Sequence, residues 1–259
     1  MTHDAGGSAD ASTKAPRWGW LEWALVVAVL ALGVQLGWPV WRRWQNRPRP
    51  GVQVAGSFGP FGYLLYLPRA YNATKKWPLL VYLHGGRSRG NDPNYLRGRD
   101  GPPAQIERGM QLPMIVLSPR CPPGSWWVPA EVLGLIDHVA SRFAVDKRRI
   151  TLTGDSMGGC GTWDTAAAAP ERFAAIVPVS ARGDPKSAKR LTDLPVWAFH
   201  GRQDDVIPWD QGQAIVDAVL AAGGSAKMTA YPHAGHNVCG RTYTNHALYD
   251  WILAQKRGG

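Results

Sequence analysis

The chain has 259 residues, enough for one α/β domain with a full core plus a small appendage. Its 45% hydrophobic and 19% charged content is that of a globular chain and argues against disorder beyond the first residues. The net charge of +10 is dispersed in short clusters with no nucleic-acid motif beside them, which argues against nucleic-acid binding. Three cysteines (Cys121, Cys160, Cys239) are too few for a disulfide framework, and one bridge or three reduced thiols remain open.

Residues 1–17 are small and polar and read as a disordered tail. From 18 to 44 the chain is almost wholly apolar, with Trp18, Trp20 and Trp23 at one end and Trp38, Trp41 and Trp44 at the other. Counted from Gly19 to Trp41, a helix spans about 35 Å, enough to cross a hydrocarbon core of about 30 Å. The bunched tryptophans match interfacial belts, and Gly37-Trp-Pro-Val-Trp-Arg42 is a poor signal-peptidase site. The expectation is a retained transmembrane anchor in the lipid bilayer. Arg42, Arg43, Arg47 and Arg49 outnumber Lys14 and Arg17, so the positive-inside rule leans towards a cytoplasmic catalytic domain. A stiff basic linker at 45–51 leads into a domain over 52–259.

In that domain, 52–58 and 63–67 read as an antiparallel pair around Gly59-Pro60. Apolar runs at 79–84 and 114–118 read as strands buried on both faces. A helix is expected over 130–143, with Val132, Leu135, Ile136 and Val139 on one face. Then come a strand, a sharp turn at Gly154-Asp-Ser156-Met-Gly158 and a helix stopped by Pro170. Further strands are expected over 173–180, 196–200 and 227–231, with helices over 211–221 and 243–255. This alternation predicts an α/β fold, a doubly wound and mostly parallel sheet covered on both faces.

The chemistry centres on Ser156. Gly-x-Ser-x-Gly between strand and helix is the pattern of a nucleophile elbow, a turn so tight that its neighbours must be small. A serine hydroxyl needs a base, and the base needs an orienting acid. Asp204 and Asp205 follow the strand at 196–200, and His233 and His236 follow the strand at 227–231, in the order nucleophile, acid, base. Both sets fall at carboxyl ends of strands, where open α/β sheets build their sites. Two N–H donors for an oxyanion are expected from Met157, after the nucleophile, and from the His84-Gly85-Gly86 loop. A rival constellation is His233-x-x-His236-x-x-Cys239, whose spacing suits zinc but lacks a clear fourth ligand.

From about Tyr63 to Lys256 the chain resembles the bacterial α/β-hydrolase group of predicted esterases and prolyl-oligopeptidase-type serine hydrolases, near the phospholipase/carboxylesterase and feruloyl-esterase-like enzymes. The resemblance is carried by Leu83-His-Gly-Gly86, Gly154-Asp-Ser-Met-Gly-Gly-Cys-Gly-Thr-Trp-Asp164, Phe199-His-Gly-Arg-Gln-Asp-Asp-Val-Ile-Pro208 and Tyr231-Pro-His-Ala-Gly-His236. It implies Ser156 as nucleophile, His236 as base, Asp204 as acid with Asp205 as runner-up, and Gly86 N–H as second oxyanion donor. It also implies Trp126 or Trp127 near the pocket mouth, and no cofactor or metal. Departures are the basic loop Arg87-Ser-Arg-Gly90 and Cys239, where the group often has tryptophan. The expected activity is hydrolysis of a small-molecule carboxylic ester through an acyl-enzyme. A serine peptidase and a catalytically inactive binding domain are the alternatives. Little room is left between Phe173 and Asp204 for a lid, and oligomeric state is not encoded in any feature of the sequence.

Overall fold

The computed structural model describes Trp20, Val27 and residues 48–258. The expected anchor at 18–44 therefore falls, but for Trp20 and Val27, outside the described residues. Among the described residues no helix is long and apolar enough to cross a membrane.

One eight-stranded sheet organises the domain. Its strands are β1 (Gln53–Phe58), β2 (Phe61–Tyr66), β3 (Trp77–Leu83), β4 (Ile115–Arg120), β5 (Val145–Asp155), β6 (Ala175–Val179), β7 (Val196–Gly201) and β8 (Ala226–Tyr231). The order across the sheet is β1-β2-β4-β3-β5-β6-β7-β8. β1 pairs antiparallel with β2, and β2 antiparallel with β4, while every other pairing is parallel. The helices are α1 (Pro102–Glu107), α2 (Pro129–Arg142), α3 (Met157–Ala168), α4 (Trp209–Ala221), α5 (Cys239–Tyr243) and α6 (His246–Ala254).

The apolar runs are explained by helices on both faces. In β3, Leu79, Val81 and Leu83 share one core with Val132, Leu135, Ile136 and Val139 of α2 and Met157, Trp163 and Ala166 of α3. The alternate residues Leu80 and Tyr82 enter a second core with Tyr243, Leu248, Tyr249 and Ile252. A strand buried on both sides has no polar face to show, and its sequence reads as continuous hydrophobicity. The expected helix over 243–255 is instead two helices. Asn245 caps the second, its side chain accepting from Ala247 N at 3.1 Å. Tyr243 ends the first with its hydroxyl 2.7 Å from Thr153 Oγ1 beneath the sheet. Between β6 and β7 the chain makes only a short 3-10 turn, Pro185–Arg190.

Candidate active site

β5 ends at Asp155 and α3 begins at Met157, so Ser156 alone makes the turn. Its φ of 53° and ψ of −118° are strained for a residue with a side chain. The strain is held by close packing on both sides. A Cβ on Gly154 would lie 2.3 Å from Gly158 O, and one on Gly158 only 1.9 Å from Leu83 O. Nothing larger than glycine fits at either position without moving β3. Ser156 N donates to Val179 O at 2.9 Å, pinning the elbow to β6.

The structure brings Ser156, His236 and Asp204 together. His236 Nε2 is 2.7 Å from Ser156 Oγ, and His236 Nδ1 is 2.9 Å from Asp204 Oδ2 and 3.0 Å from Oδ1. The Asp204 side chain is wholly buried, whereas that of His236 is 23% exposed and reachable from outside. Val206 N and Ile207 N donate to Asp204 Oδ1 at 3.0 and 2.9 Å. Asp205 is exposed and makes no contact with His236. The zinc constellation does not form: His233 is exposed, while Cys239 is buried beside the Tyr82 hydroxyl at 3.8 Å. Among the described residues no group of three acidic, His or Cys side chains is placed to hold a metal ion. All three cysteines are free.

The two residues expected to supply oxyanion donors flank the elbow. Met157 is the first residue of α3, where a helix leaves N–H groups without intrahelical acceptors and its dipole favours negative charge. Gly86 opens the 3-10 turn Gly86–Ser88, and a Cβ built there would lie 3.3 Å from Arg89 Nη1 and 3.9 Å from Met157 Sδ. At Gly85 a Cβ would lie 3.4 Å from Ser156 Cβ.

His84 fixes this loop from below. Its Nε2 accepts from Cys121 N at 3.0 Å and its Nδ1 donates to Gly85 O at 2.8 Å, so both ring nitrogens are committed in the neutral form. Burial lowers its pKa to about 4. Trp127 is buried and donates from Nε1 to His84 O at 3.1 Å, whereas Trp126 is 61% exposed with Arg89 stacked near it. The two tryptophans thus divide between loop support and the surface.

Several further residues support Ser156, His236 and Asp204 from outside that set. Asp155 lies below the elbow, its Oδ1 accepting from Tyr82 Oη at 2.6 Å. Burial pushes its carboxyl pKa up, against the opposing pull of the Tyr82 hydroxyl, the Gly85 amide, the Cys239 thiol and His236. Ser180 follows β6, and His200 sits at the end of β7 against Asp204. His200 opens the His-Gly-x-x-Asp pattern, which is the one sequence signal that marks it; Ser180 and Tyr82 have none.

A model described as the dienelactone hydrolase family matches residues 128–247. A protein of Salmonella typhimurium, provisionally named a carboxymethylenebutenolidase, is 36% identical over 119 residues, 41% of this chain and 44% of its own. The bifunctional acetylxylan esterase/xylanase XynS20E of Neocallimastix patriciarum is 26% identical over 191 residues, 70% of this chain and 26% of its own. The chain thus spans less than half the length of these curated relatives. Among solved structures, a thermostable esterase superposes with a TM-score of 0.70 and 30% identity, over 79% of this chain and 63% of its own. The feruloyl esterase module from Clostridium thermocellum gives a TM-score of 0.63 over 83% of this chain and 93% of its own, and at 18% identity it speaks for the fold alone. With this sheet order, this elbow and these relatives, the chain has the α/β-hydrolase fold, and its residues 128–247 match the dienelactone hydrolase family.

Proposed function

We propose that the protein is a serine esterase that hydrolyses a small-molecule carboxylic ester through an acyl-enzyme. The observation that carries this reading is the hydrogen-bonded series from Ser156 Oγ to His236 Nε2 at 2.7 Å and from His236 Nδ1 to Asp204 at 2.9 Å. His236 takes the Ser156 proton as the hydroxyl attacks the ester carbonyl, and Asp204 holds the imidazole in the productive tautomer and stabilises the imidazolium. The oxyanion of the tetrahedral intermediate is held by the N–H groups of Met157 and Gly86. Proton return from His236 releases the alcohol, and water deacylates the enzyme by the same route.

Replacing Ser156 by Ala tests the reading directly. Turnover of p-nitrophenyl butyrate and labelling by a fluorophosphonate probe are both expected to vanish, and a Ser156→Ala enzyme that still turns over the ester would refute it. A wild type that fails to react with the probe would instead identify a binding domain built on a hydrolase fold.

The apolar 18–44 segment and its tryptophan flanks support a second element of the proposal, a single membrane-spanning anchor with the catalytic domain on the cytoplasmic side. Membrane fractionation of the full chain against a chain lacking residues 1–47 checks the anchor. Protease protection of the domain in inverted vesicles checks the side.

A further inference from the structure

Asp204 is faced by two imidazoles, and only one of them reaches Ser156. The other is His200, at the carboxyl end of β7 and 1% exposed. Its Nε2 is 2.9 Å from Ile207 O and 3.0 Å from Asp204 Oδ2. Both neighbours are acceptors, so this nitrogen carries the proton: it donates to Ile207 O and lays the N–H dipole beside the carboxylate.

The ring has no freedom to leave. On its other side Nδ1 is pressed against α4, where a Cβ on Gly212 would lie 2.5 Å from it. The Trp209 ring stands edge-on at 5.8 Å. The titratable group facing it is Asp204, with His236 beyond. From α4 it meets the uncharged Gly212 and Trp209, with Arg202 on the Trp209 ring at 4.4 Å from the centroid.

The Ile207 residue is consequently gripped at both ends, its carbonyl by His200 and its N–H by Asp204 Oδ1. Oδ1 is fixed by the backbone amides of Val206 and Ile207, and Oδ2 is flanked by His200 and His236. We propose that His200 is a positioning residue for the reaction: by clamping the 204–207 turn and flanking Oδ2, it holds the Asp204 carboxylate in the orientation that aims His236 at Ser156. The proposal rests on the serine esterase reading above.

The test uses the full chain and p-nitrophenyl butyrate. His200→Phe keeps the ring and removes the N–H, whereas His200→Gln restores an N–H at about the reach of Nε2. His200→Phe is expected to lower kcat by about tenfold to a hundredfold, the order expected for losing a hydrogen bond that serves a charged group, with KM little changed. Gln is expected to recover most of the rate. A folded His200→Phe enzyme with unchanged kcat overturns the proposal. So does a Gln variant that regains the melting temperature but none of the rate.

Should the Phe variant not fold, Gln against Asn carries the test, because the shorter amide does not reach the 204–207 turn. A rate kept by Gln and lost by Asn supports the clamp, and equal rates overturn it. Ser156→Ala is the separate control. An ester-inactive wild type sinks the esterase reading together with this inference, whereas an active wild type with an indifferent His200 sinks this inference alone.

Discussion

Ser180 Oγ donates a 2.7 Å hydrogen bond to the carbonyl oxygen of His236, across 56 residues of chain. Ser180 is 2% exposed and has a φ of 47°, making it, among the described residues, the second non-glycine residue after Ser156 held in the left-handed region. Two strained serines at neighbouring strand ends thus meet one histidine, one at its ring and one at its backbone carbonyl. Strain kept by the surrounding structure is common where geometry must be exact to a fraction of an ångström. The anchor and the strain can be separated by substitution. Ser180→Gly relieves the φ penalty and loses the hydrogen bond, while Ser180→Ala loses the bond and keeps the strain. Ala is expected to be less stable than Gly by about 1 kcal/mol in urea unfolding. Both are expected to lose several-fold in kcat on p-nitrophenyl butyrate, since a mobile His236 backbone loosens the base.

The choice between adjacent carboxylates gives a sharper comparison. Asp204 is buried and meets His236 Nδ1, and Asp205 is exposed. Asp204→Asn is expected to reduce kcat on the order of a thousandfold or more, because an amide cannot hold the imidazole tautomer or stabilise the imidazolium. Asp205→Asn is expected to leave kcat within about twofold, as substitution of an exposed side chain usually does. Parallel steady-state kinetics of the two variants decide the assignment.

The parallel sheet and the elbow were readable because both leave dense local signals. Leu79-Leu-Val-Tyr-Leu83 has no polar face because the core holding α2 and α3 covers one side of β3 and the Tyr243–Ile252 core covers the other. Gly154 and Gly158 are dictated by contacts of 2.3 and 1.9 Å, so the motif is a direct imprint of packing. The order of acid and base was legible for a similar reason, each following its own strand. What was not legible depends on pairs distant in sequence. Tyr82 meets Asp155 across 73 residues and Ser180 meets His236 across 56, and no spacing rule connects them. The choice of Asp204 over Asp205 is set by the turn to Ile207, whose two amides select one carboxylate. The split at Thr244–Asn245 was hidden because a capping asparagine inside an apolar helical pattern looks like a tolerated polar residue.

The elbow glycines give a stability prediction with an internal control. A methyl group at Gly158 would meet Leu83 O at 1.9 Å, and backbone cannot yield as a side-chain tip can. Gly158→Ala is expected to cost roughly 3 kcal/mol and to remove activity, because β3 and the Gly85–Gly86 loop must shift with it. Gly98 has open space around it and no positive φ. Gly98→Ala is expected to be neutral within about 0.5 kcal/mol. Thermal and urea unfolding of the pair check both figures.

His84 makes stability depend on pH, and the sign follows from its direction of shift. Burial lowers its folded pKa to about 4 from the ordinary 6.5, with Arg120 and Arg89 acting the same way and the hydrogen bond to Gly85 O opposing them. Above pH 6.5 the imidazole is neutral in both folded and unfolded chains, and its full contribution to stability is present. As pH falls from 6.5 towards 4 the unfolded chain takes up a proton that the folded chain refuses, so stability is lost across that window and levels off below it. One group shifted this far accounts for about 3 kcal/mol between the two limits, at 1.36 kcal/mol per pH unit. Replacing His84 by Asn keeps an N–H able to reach Gly85 O and removes the titration. Urea unfolding of wild type between pH 7 and 4.5 is expected to steepen its loss of stability relative to His84→Asn by close to one proton. Because folded His84 stays neutral until about pH 4, its hydrogen bonds to the loop that carries Gly86 are expected to be lost only as pH falls through about 4, below the window in which stability declines. Identical pH slopes for the two proteins would show that His84 is not the group refusing the proton.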